Sequence, residues 1–229
     1  MEANLPKHIG FIIDGNRRWA KKHGLPAYEG HLAGKNVLED VLVEFLDRGV
    51  KYASAYVFST ENWKRSEDEV SRLMSLVLKT VKDDLPRFIE KNVRLRVIGS
   101  RQGLSEKILS VIRDAEERTR DLDGGDLLIC FNYGGQIEIA DAVKKIVQSG
   151  VSESEITPEL IEQNLYAPDV PPCDLIVRTS GEQRLSNFML WRSAYSELMF
   201  VDKNWPDMKK SDVDVILSEY SKRKRRFGG

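Results

Sequence analysis

Residues 8–19 read HIGFIIDGNRRW, and this stretch decides the fold. Its first part is a short apolar run that ends in Asp14, a pattern typical of a buried strand that delivers one polar side chain at its carboxyl end. Gly15 follows the acid, and we predict a helix immediately after it. A buried strand passing directly into a helix is the first unit of an α/β fold.

The rest of the chain alternates between strand and helix patterns. Short apolar or alternating runs predict further strands at residues 52–58, 93–98, 127–131, 174–178 and 198–201. Helical spacing of apolar residues predicts helices at residues 35–47, 66–89, 104–122, 137–147, 157–165 and 213–223. Strands separated by helices imply a central, mostly parallel β-sheet flanked by helices on both faces. We therefore predict a single α/β domain over residues 1–229.

The composition is that of a globular protein. Hydrophobic residues make up 41% of the chain and charged residues 31%, which argues against a disordered or membrane-spanning protein. The 35 Lys and Arg residues and 36 Asp and Glu residues give a net charge of −1, so bulk charge offers no argument for nucleic-acid binding. Cys130 and Cys173 have no metal-binding spacing. Without an apolar segment near the start, we expect a cytoplasmic protein with reduced thiols.

Polar side chains follow three of the predicted strands. These clusters cover residues 14–19, 59–65 and 178–187, and they mix arginines, hydroxyls and amides with single carboxylates. The carboxyl ends of parallel strands meet at one edge of a sheet, where such folds place their chemistry. One hard oxygen ligand among several cationic donors is what a magnesium-bridged diphosphate requires. The sequence therefore predicts an anion site at this edge.

Several residues of these clusters also allow a structural interpretation. Asp14 fits an N-cap of the following helix as well as a ligand. Arg17 and Arg18 on the first helical turn favour a bound anion, because cations at a helix start are otherwise unfavourable. Trp19 and Trp63 fit packing as well as contact with a ligand.

The sequence contains no Walker loop, HExxH, CxxC or GxSxG motif. It does contain six segments in a characteristic order: DGNRRWAKK (14–22), GH (30–31), FSTENWKR (58–65), FNYGG (131–135), RTSGEQRLSNFMLW (178–191) and AYSEL (194–198). Together they resemble the cis-prenyltransferase family, whose best-known members are undecaprenyl diphosphate synthases. The resemblance implies a homodimer of α/β subunits that uses Mg²⁺ to condense isopentenyl diphosphate with an allylic prenyl diphosphate in cis geometry.

The resemblance implies roles for individual residues. Asp14 is expected to handle the metal and help the allylic diphosphate leave, and Glu197 is a second candidate metal ligand. Asn62 is the candidate proton acceptor, with the diphosphate itself as the alternative because a neutral amide is a poor base. Candidate substrate-binding residues around the first cluster are Gly15, Asn16, Arg17, Arg18, Trp19 and His31. Those around Asn62 are Ser59, Thr60, Glu61, Trp63 and Arg65. Those expected to hold isopentenyl diphosphate are Arg178, Arg184 and Ser186.

The C-terminal basic run, residues 222–226, allows three interpretations. The sequence 226–228 fits the family's arginine-x-glycine element, through which Arg226 is expected to reach the site of the partner subunit. The alternatives are a solvated tail and a weak attraction to an anionic membrane surface. We expect peripheral membrane contact at most.

Some positions depart from the family pattern and bear on substrate preference. Ala27 and Gln136 stand where many relatives carry arginine, and Arg17 stands where bacterial undecaprenyl synthases usually carry glycine. Val57 and Phe131 are bulkier than the alanines often found there, so we expect a narrow tunnel and a product shorter than undecaprenyl.

The apolar stripe at residues 70–89 is the expected wall of that tunnel, and an ordinary core-facing helix is the alternative. Three other functions stay open at this point: head-to-middle coupling of two prenyl units, a partner-dependent regulatory subunit of a two-subunit enzyme, and a generic phosphate-binding module. Asp14 favours an active subunit, because regulatory subunits of the family typically lose this acid. The apolar stripe argues against a simple phosphate-binding module.

Overall fold

The computed structural model describes residues 4–223, and strand β1 (His8–Ile12) lies in the interior of its sheet. All of its residues are buried, because it pairs on one side with β2 (Tyr52–Ser59) and on the other with β5 (Leu175–Arg178). Both pairings are parallel. The apolar run that opens the sequence is therefore an interior strand of a parallel sheet, as predicted.

Within the described residues the sheet has six strands in the order β3-β4-β2-β1-β5-β6, and every pairing is parallel. The other strands are β3 (Val93–Ile98), β4 (Gly125–Tyr133) and β6 (Glu197–Phe200). The helices are α1 (Asn16–Lys22), α2 (Ala27–Asp47), α3 (Glu67–Glu90), α4 (Glu106–Arg118), α5 (Gly135–Gln148), α6 (Pro158–Asn164) and α7 (Lys210–Ser221). The chain passes from β1 to β2 on one side of β1, whereas β5 and β6 follow each other on the opposite side of β1. This is a topological switch point, the place where open α/β sheets bind ligands.

Side chains of β4 alternate between the two faces of the sheet, as the pleat of a strand requires. Leu127 and Ile129 pack into the core that the sheet shares with α2, α3, α4 and α7. Leu128 and Cys130 pack on the opposite face, in a second cluster that includes Phe188. The run at 127–131 is apolar throughout because both faces of this strand are covered.

Helix α2 begins at Ala27, eight residues before the predicted start at residue 35. The early part of α2 contains glycines, which lower helix propensity and hide the helical pattern in the sequence. They are needed because α2 passes very close to Asn16: a Cβ on Gly30 would lie 2.0 Å from Asn16 O, and one on Gly34 would lie 2.2 Å from Asn16 Oδ1. The packing of α1 on α2 therefore overrides local propensity.

Helix α3 continues through Pro86, which is exposed on its surface. Cys130 and Cys173 are both buried and free. Within residues 4–223, none of the helices combines the length and apolar character needed to cross a membrane.

A buried ion pair holds together the irregular segments that cover the second face of the sheet. Arg192 Nη1 donates to Glu138 Oε1 at 2.6 Å, with only 2% and 1% of the two side chains exposed. Arg192 Nη2 also donates to the main-chain oxygens of Tyr166 and Ala167, at 2.5 and 3.0 Å. The Tyr133 hydroxyl donates to Glu138 Oε2 at 2.5 Å. These bonds join β4 and α5 to the chain on both sides of β5.

Replacing Glu138 by alanine is expected to lower the free energy of unfolding by about 3–5 kcal/mol, because Arg192 is left charged, buried and unpaired. Urea titration followed by circular dichroism measures this. The control is Glu117→Ala on α4, whose side chain is 62% exposed in its pair with Arg120. It should change the free energy of unfolding by less than about 0.5 kcal/mol. Equal losses in the two variants would contradict the assignment.

Candidate active site

The switch point between β1 and β5 brings Asp14 and Arg178 together. Arg178 is the last residue of β5 and lies in register with Ile12, the last residue of β1. Asp14 follows two residues later, and Arg178 Nη2 donates to its Oδ2 at 2.9 Å. Arg178 Nη1 donates to Ser186 Oγ at 2.8 Å. One buried arginine thus links the expected metal ligand to the expected isopentenyl diphosphate site.

The main chain at Asp14 is fixed from two sides. Its carbonyl oxygen accepts hydrogen bonds from Thr179 Oγ1 at 2.7 Å and from Trp205 N at 2.9 Å. Gly15 follows with φ of 103°, in the left-handed region, and a Cβ at this position would lie 2.5 Å from Asn204 Oδ1. The chain can turn here only because residue 15 is glycine.

The alternative role of Asp14 as a helix N-cap is wrong. Gly15 is the N-cap residue of α1, and no side chain caps this helix. Asp14 Oδ1 instead accepts the adjacent Gly15 N–H at 2.7 Å, while Oδ2 faces Arg178. One carboxylate oxygen therefore faces the arginines, and neither caps the helix.

A chain of alternating charges continues from Asp14 to the loop after β5. Arg18 Nη2 lies 3.7 Å from Asp14 Oδ2 and 2.6 Å from Glu182 Oε1. Arg184 Nη1 donates to Glu182 Oε2 at 2.5 Å. The Arg184 and Arg18 guanidinium groups hold the pKa of Glu182 below its usual value. The carboxylate of Glu182 thus occupies the two arginines that a diphosphate would require.

A second charged group lies across the mouth of the site, at the start of α3. Arg65 Nη1 donates to Glu69 Oε1 at 2.9 Å, and Arg17 Nη1 lies 4.0 Å from the same oxygen. Arg17 and Arg65 both line the cavity described below. Two cations therefore share one carboxylate at this side of the mouth.

Three buried polar atoms of the cavity lining have no hydrogen-bond partner within the described residues: Asn16 Oδ1, His31 Nε2 and Arg178 Nε. Buried polar atoms are almost always paired in folded proteins, so three unpaired atoms around one cavity indicate a ligand. Burial of the imidazole, with Arg65 as the next cause, lowers the pKa of His31 to about 4, so its ring is neutral at pH 7.

Behind this charged mouth lies an apolar cavity of about 560 Å³ between α2, α3 and the sheet. Its apolar lining consists of Ile12, Ile13, Leu38, Tyr56, Val57, Phe58, Leu73, Leu76, Val77, Val81, Phe88, Leu95 and Ile129. The predicted stripe on α3 thus faces both the cavity and the core. Fold and site together define a protein that binds a molecule with an anionic head and an apolar tail.

The residues predicted around Asn62 divide into two groups. Ser59, Asn62 and Arg65 line the cavity. Asn62 Oδ1 accepts the Ser59 N–H at 3.0 Å and so closes the 3₁₀ turn Thr60–Lys64. The residues outside the cavity lining are Thr60, Glu61 and Trp63.

Both tryptophans of these clusters make packing contacts. Trp63 Nε1 donates to Asn132 Oδ1 at 2.8 Å, and its ring meets Phe58 edge-on. Trp19 Nε1 donates to Asp207 Oδ1 at 2.8 Å, and its ring packs on His23. The structure therefore favours the packing interpretation for both residues.

Two predicted positions, Glu197 and Phe131, lie apart from the Asp14 site in this chain. Glu197 begins β6 in register with Leu175, at the opposite end of the sheet from Arg178, and its Oε2 accepts a hydrogen bond from Arg223 at 2.9 Å. Phe131 lies in the core, with its ring 5.5 Å from that of Phe58, and only Val57 of the two predicted narrowing residues lines the cavity. Arg226 lies outside the described residues.

Comparison with known proteins assigns the chain to a family. Residues 12–228 match the family model described as "Putative undecaprenyl diphosphate synthase". The chain is 49% identical to an isoprenyl transferase of Thermotoga maritima, over 98% of this chain and 97% of the relative. It is 46% identical to an isoprenyl transferase of Fusobacterium nucleatum, over 100% of this chain and 98% of the relative. The chain belongs to the undecaprenyl diphosphate synthase family, and the resemblance seen in the six segments is confirmed.

Two solved structures share the fold. Lavandulyl diphosphate synthase from Lavandula x intermedia, in complex with dimethylallyl diphosphate, has a TM-score of 0.94 and 31% identity, covering 98% of this chain and 99% of that chain. A "probable undecaprenyl diphosphate synthase" from Campylobacter jejuni has a TM-score of 0.84 and 30% identity, covering 99% and 100%. The chain is therefore a prenyltransferase with the fold of these two structures.

The sequence gives little sign of four residues that shape the site: Lys35, Glu69, Glu182 and Asn204. Glu69 lies in the first turn of a predicted helix, where it indicates only a helix cap. Lys35 indicates only the start of another predicted helix. Glu182 lies in a quoted cluster but has no partner nearby in sequence except Arg184. Asn204 lies 24 residues after Ser180, whose hydroxyl donates to it at 2.9 Å. Such pairings depend on the tertiary fold, so a sequence pattern cannot reveal them.

We expect the Arg65→Met substitution to raise the pKa of His31, because it removes a positive charge that disfavours the imidazolium ion. A pH titration of the imidazole signals by NMR measures this. Arg118→Met is the control, since Arg118 lies on α4 with its guanidinium 3.6 Å from Asp114. It should leave the His31 titration unchanged. A His31 pKa that stays at about 4 in Arg65→Met would show that the charge of Arg65 does not lower it.

Proposed function

We propose that this enzyme extends an allylic prenyl diphosphate by adding isopentenyl diphosphate, producing a (Z)-polyprenyl diphosphate in a Mg²⁺-dependent reaction. The observation that carries the proposal is the charged mouth, with three unpaired buried polar atoms, opening directly into an apolar cavity. A prenyl diphosphate has the same two parts, an anionic head and a hydrocarbon tail. The identity to isoprenyl transferases over nearly the whole chain supports it.

The allylic diphosphate is proposed to bind between α1 and the start of α2 and α3. Its oxygens would accept hydrogen bonds from Arg17, Arg18, the Asn16 amide and the His31 Nε2–H, which requires the tautomer protonated at that nitrogen. The unpaired Asn16 Oδ1 then faces a hydroxyl, a water molecule or a metal-bound ligand. The tail would extend past Val57 along α3 into the apolar cavity.

The residues present fit one Mg²⁺ ion shared with the substrate. Within residues 4–223 no group of three or more His, Cys, Asp or Glu side chains could hold a metal on its own. Asp14 offers a single carboxylate, 29% exposed, and Mg²⁺ in proteins is commonly held by one or two carboxylates together with substrate phosphates. Asp14 would hold the ion, which supplies neutralisation of the charge on the departing diphosphate. Glu197 stays a candidate second ligand, although it lies far from Asp14 along the sheet.

The reaction needs one C–O bond to break, one C–C bond to form and one proton to leave. The allylic carbon loses its diphosphate, C4 of isopentenyl diphosphate bonds to that carbon, and C2 of isopentenyl diphosphate loses a proton. Arg18 and the neighbouring donors stabilise charge on the leaving group, and the apolar cavity keeps water from the allylic cation. Because Asn62 Oδ1 already accepts the Ser59 N–H, we favour a diphosphate oxygen as proton acceptor, with Asn62 positioning the substrate.

Isopentenyl diphosphate is proposed to bind at Arg178, Arg184 and Ser186. Arg178 and Ser186 are already joined by a hydrogen bond and lie beside Asp14, so the second diphosphate would lie next to the first. Arg184 is held by Glu182, so an incoming diphosphate has to compete with that carboxylate. Part of the binding energy is then used to release Glu182 from Arg184.

The main test is product analysis by mass spectrometry. The purified protein is incubated with Mg²⁺, isopentenyl diphosphate and, separately, dimethylallyl, geranyl, farnesyl or geranylgeranyl diphosphate. Regular chains shorter than undecaprenyl are expected, and chelation of the metal should abolish them. Branched products from dimethylallyl diphosphate alone would instead support head-to-middle coupling, the second candidate, which the likeness to lavandulyl diphosphate synthase favours. No product without a second chain would indicate a partner-dependent subunit.

Asp14→Ala is expected to lower turnover by at least ~10³-fold, because it removes the proposed metal ligand, while binding of the allylic diphosphate changes little. Steady-state kinetics and equilibrium binding measure the two effects. Asp114→Ala, on the surface of α4 with its side chain 63% exposed, is the matched control and should keep normal turnover. A loss smaller than about tenfold in Asp14→Ala would remove Asp14 from this role.

We further propose a homodimer in which Arg226 serves the site of the partner subunit. Mixing an Asp14→Ala chain with an Arg226→Ala chain should then produce heterodimers with one doubly damaged site and one intact site. Activity should recover after subunit exchange, measured with the same product assay. Lack of recovery despite proven exchange would contradict a shared site. A cytoplasmic location with peripheral membrane contact stays a prediction.

A further inference from the structure

The cavity wall is apolar beyond its mouth except at Thr80 and Lys35. The Thr80 hydroxyl is satisfied locally, since it donates to Leu76 O at 2.8 Å. Lys35 is different, because its partner lies on another helix. Lys35 Nζ donates to Asp84 Oδ1 at 2.6 Å, and the two side chains are only 18% and 7% exposed. A largely buried ion pair therefore joins α2 to α3 beside the cavity.

The pair lies partway along the cavity. Lys35 follows His31 by one turn of α2, and Leu38 continues the cavity lining after it. Asp84 follows Thr80 by one turn of α3, and Phe88 continues the lining on that helix. The ion pair thus connects the two helices at an intermediate depth of the cavity. It lies deeper than the charged mouth, and Leu38 and Phe88 line the cavity deeper still.

Other ion pairs continue the same connection toward the ends of the helices. Arg87 Nε lies 2.7 Å from Glu39 Oε1, and Lys91 Nζ lies 3.6 Å from Asp47 Oδ2. None of these four residues lines the cavity. The Lys35–Asp84 pair is therefore the one nearest the mouth among these ion pairs between α2 and α3, and we call it the tie. Lys35 is the one residue of the three pairs that lines the cavity.

The stability of the folded protein does not by itself explain a buried ion pair at this position. Burying two charges costs desolvation energy, and well-packed apolar residues of similar size often serve stability equally well. The pair does have a specific mechanical effect: the helices cannot move apart without leaving both charges unpaired in apolar surroundings. A hydrocarbon tail growing along α3 meets this resistance.

We propose that the Lys35–Asp84 pair limits the length of the prenyl chain by holding α2 against α3 beside the cavity. The inference rests on the proposed elongating function and names residues that determine its product. Growth continues while the tail fits inside the tied helices. Further addition requires the helices to separate, so the product is released at that length.

The test compares two matched double variants of the full chain. Lys35→Ala with Asp84→Ala removes the tie at the cavity, whereas Lys91→Ala with Asp47→Ala removes a tie between the same helices away from it. The first should give products longer by at least one isoprene unit, and the second should give wild-type lengths. Unchanged product length in the first variant, with a normal circular dichroism spectrum, would overturn the proposal.

A charge reversal covers the case in which the first variant fails to fold. Lys35→Asp with Asp84→Lys retains an ion pair between the helices and should retain the wild-type product length. Lys35→Met with Asp84→Leu removes the charges but keeps the apolar volume, and it should lengthen the product. Longer products from the reversed pair, or unchanged products from the apolar pair, would count against the tie.

Binding separates this proposal from the proposed function. Affinities are measured by calorimetry for allylic diphosphates from geranyl to undecaprenyl diphosphate. Loss of the tie should raise affinity for the longest chains by about tenfold relative to the Lys91 and Asp47 control, because more apolar surface is buried. A wild-type protein that binds these compounds without elongating them refutes the proposed function only. Equal affinities in the two variants refute the tie.

Discussion

The ion pair between Arg178 and Asp14 is the interaction around which the site is arranged. Arg178 is 4% exposed, so its charge has to be compensated within the protein. The compensation comes from the neighbouring strand, because β1 and β5 are parallel and end in register. Removing Asp14 leaves the buried guanidinium of Arg178 without its carboxylate partner at the switch point of the sheet. The position of Ser186 depends on the same guanidinium, which links the loop after β5 to the end of β1.

The site combines features that reduce stability with features that hold them in place. Three buried polar atoms of the cavity lining are unpaired, and several non-glycine residues after β5 adopt left-handed backbone conformations, among them Ser180, Ser186 and Asn187. Each such feature costs free energy and persists only where its surroundings fix it. The surrounding sheet and the buried Glu138–Arg192 pair supply that rigidity. A preorganised set of donors then needs little rearrangement when an anion binds.

Much of the fold could be predicted from sequence because its signals are local. The apolar run before Asp14 and the stripe on α3 each specify both an element and its buried face. The start of α2 could not be predicted, because its glycines serve packing against Asn16. The motifs predicted side chains that the structure brings to the mouth of the cavity, because most of them lie at or just after the ends of strands. They could not show that Glu197 lies at the far end of the sheet, or that Lys35 meets Asp84, because both facts depend on tertiary pairing.

The neutral imidazole of His31 has a consequence for the energetics of ligand binding. With a pKa of about 4, the imidazole ring is uncharged near neutral pH. A diphosphate bound at the proposed site brings negative charge beside this ring, which favours the imidazolium form and opposes the effects of burial and of Arg65. Binding is coupled to proton uptake only at a pH low enough for the ring to be protonated in the complex but neutral in the free protein. In that pH range the heat of binding would include the ionisation enthalpy of the buffer, and the apparent affinity would increase as the pH falls.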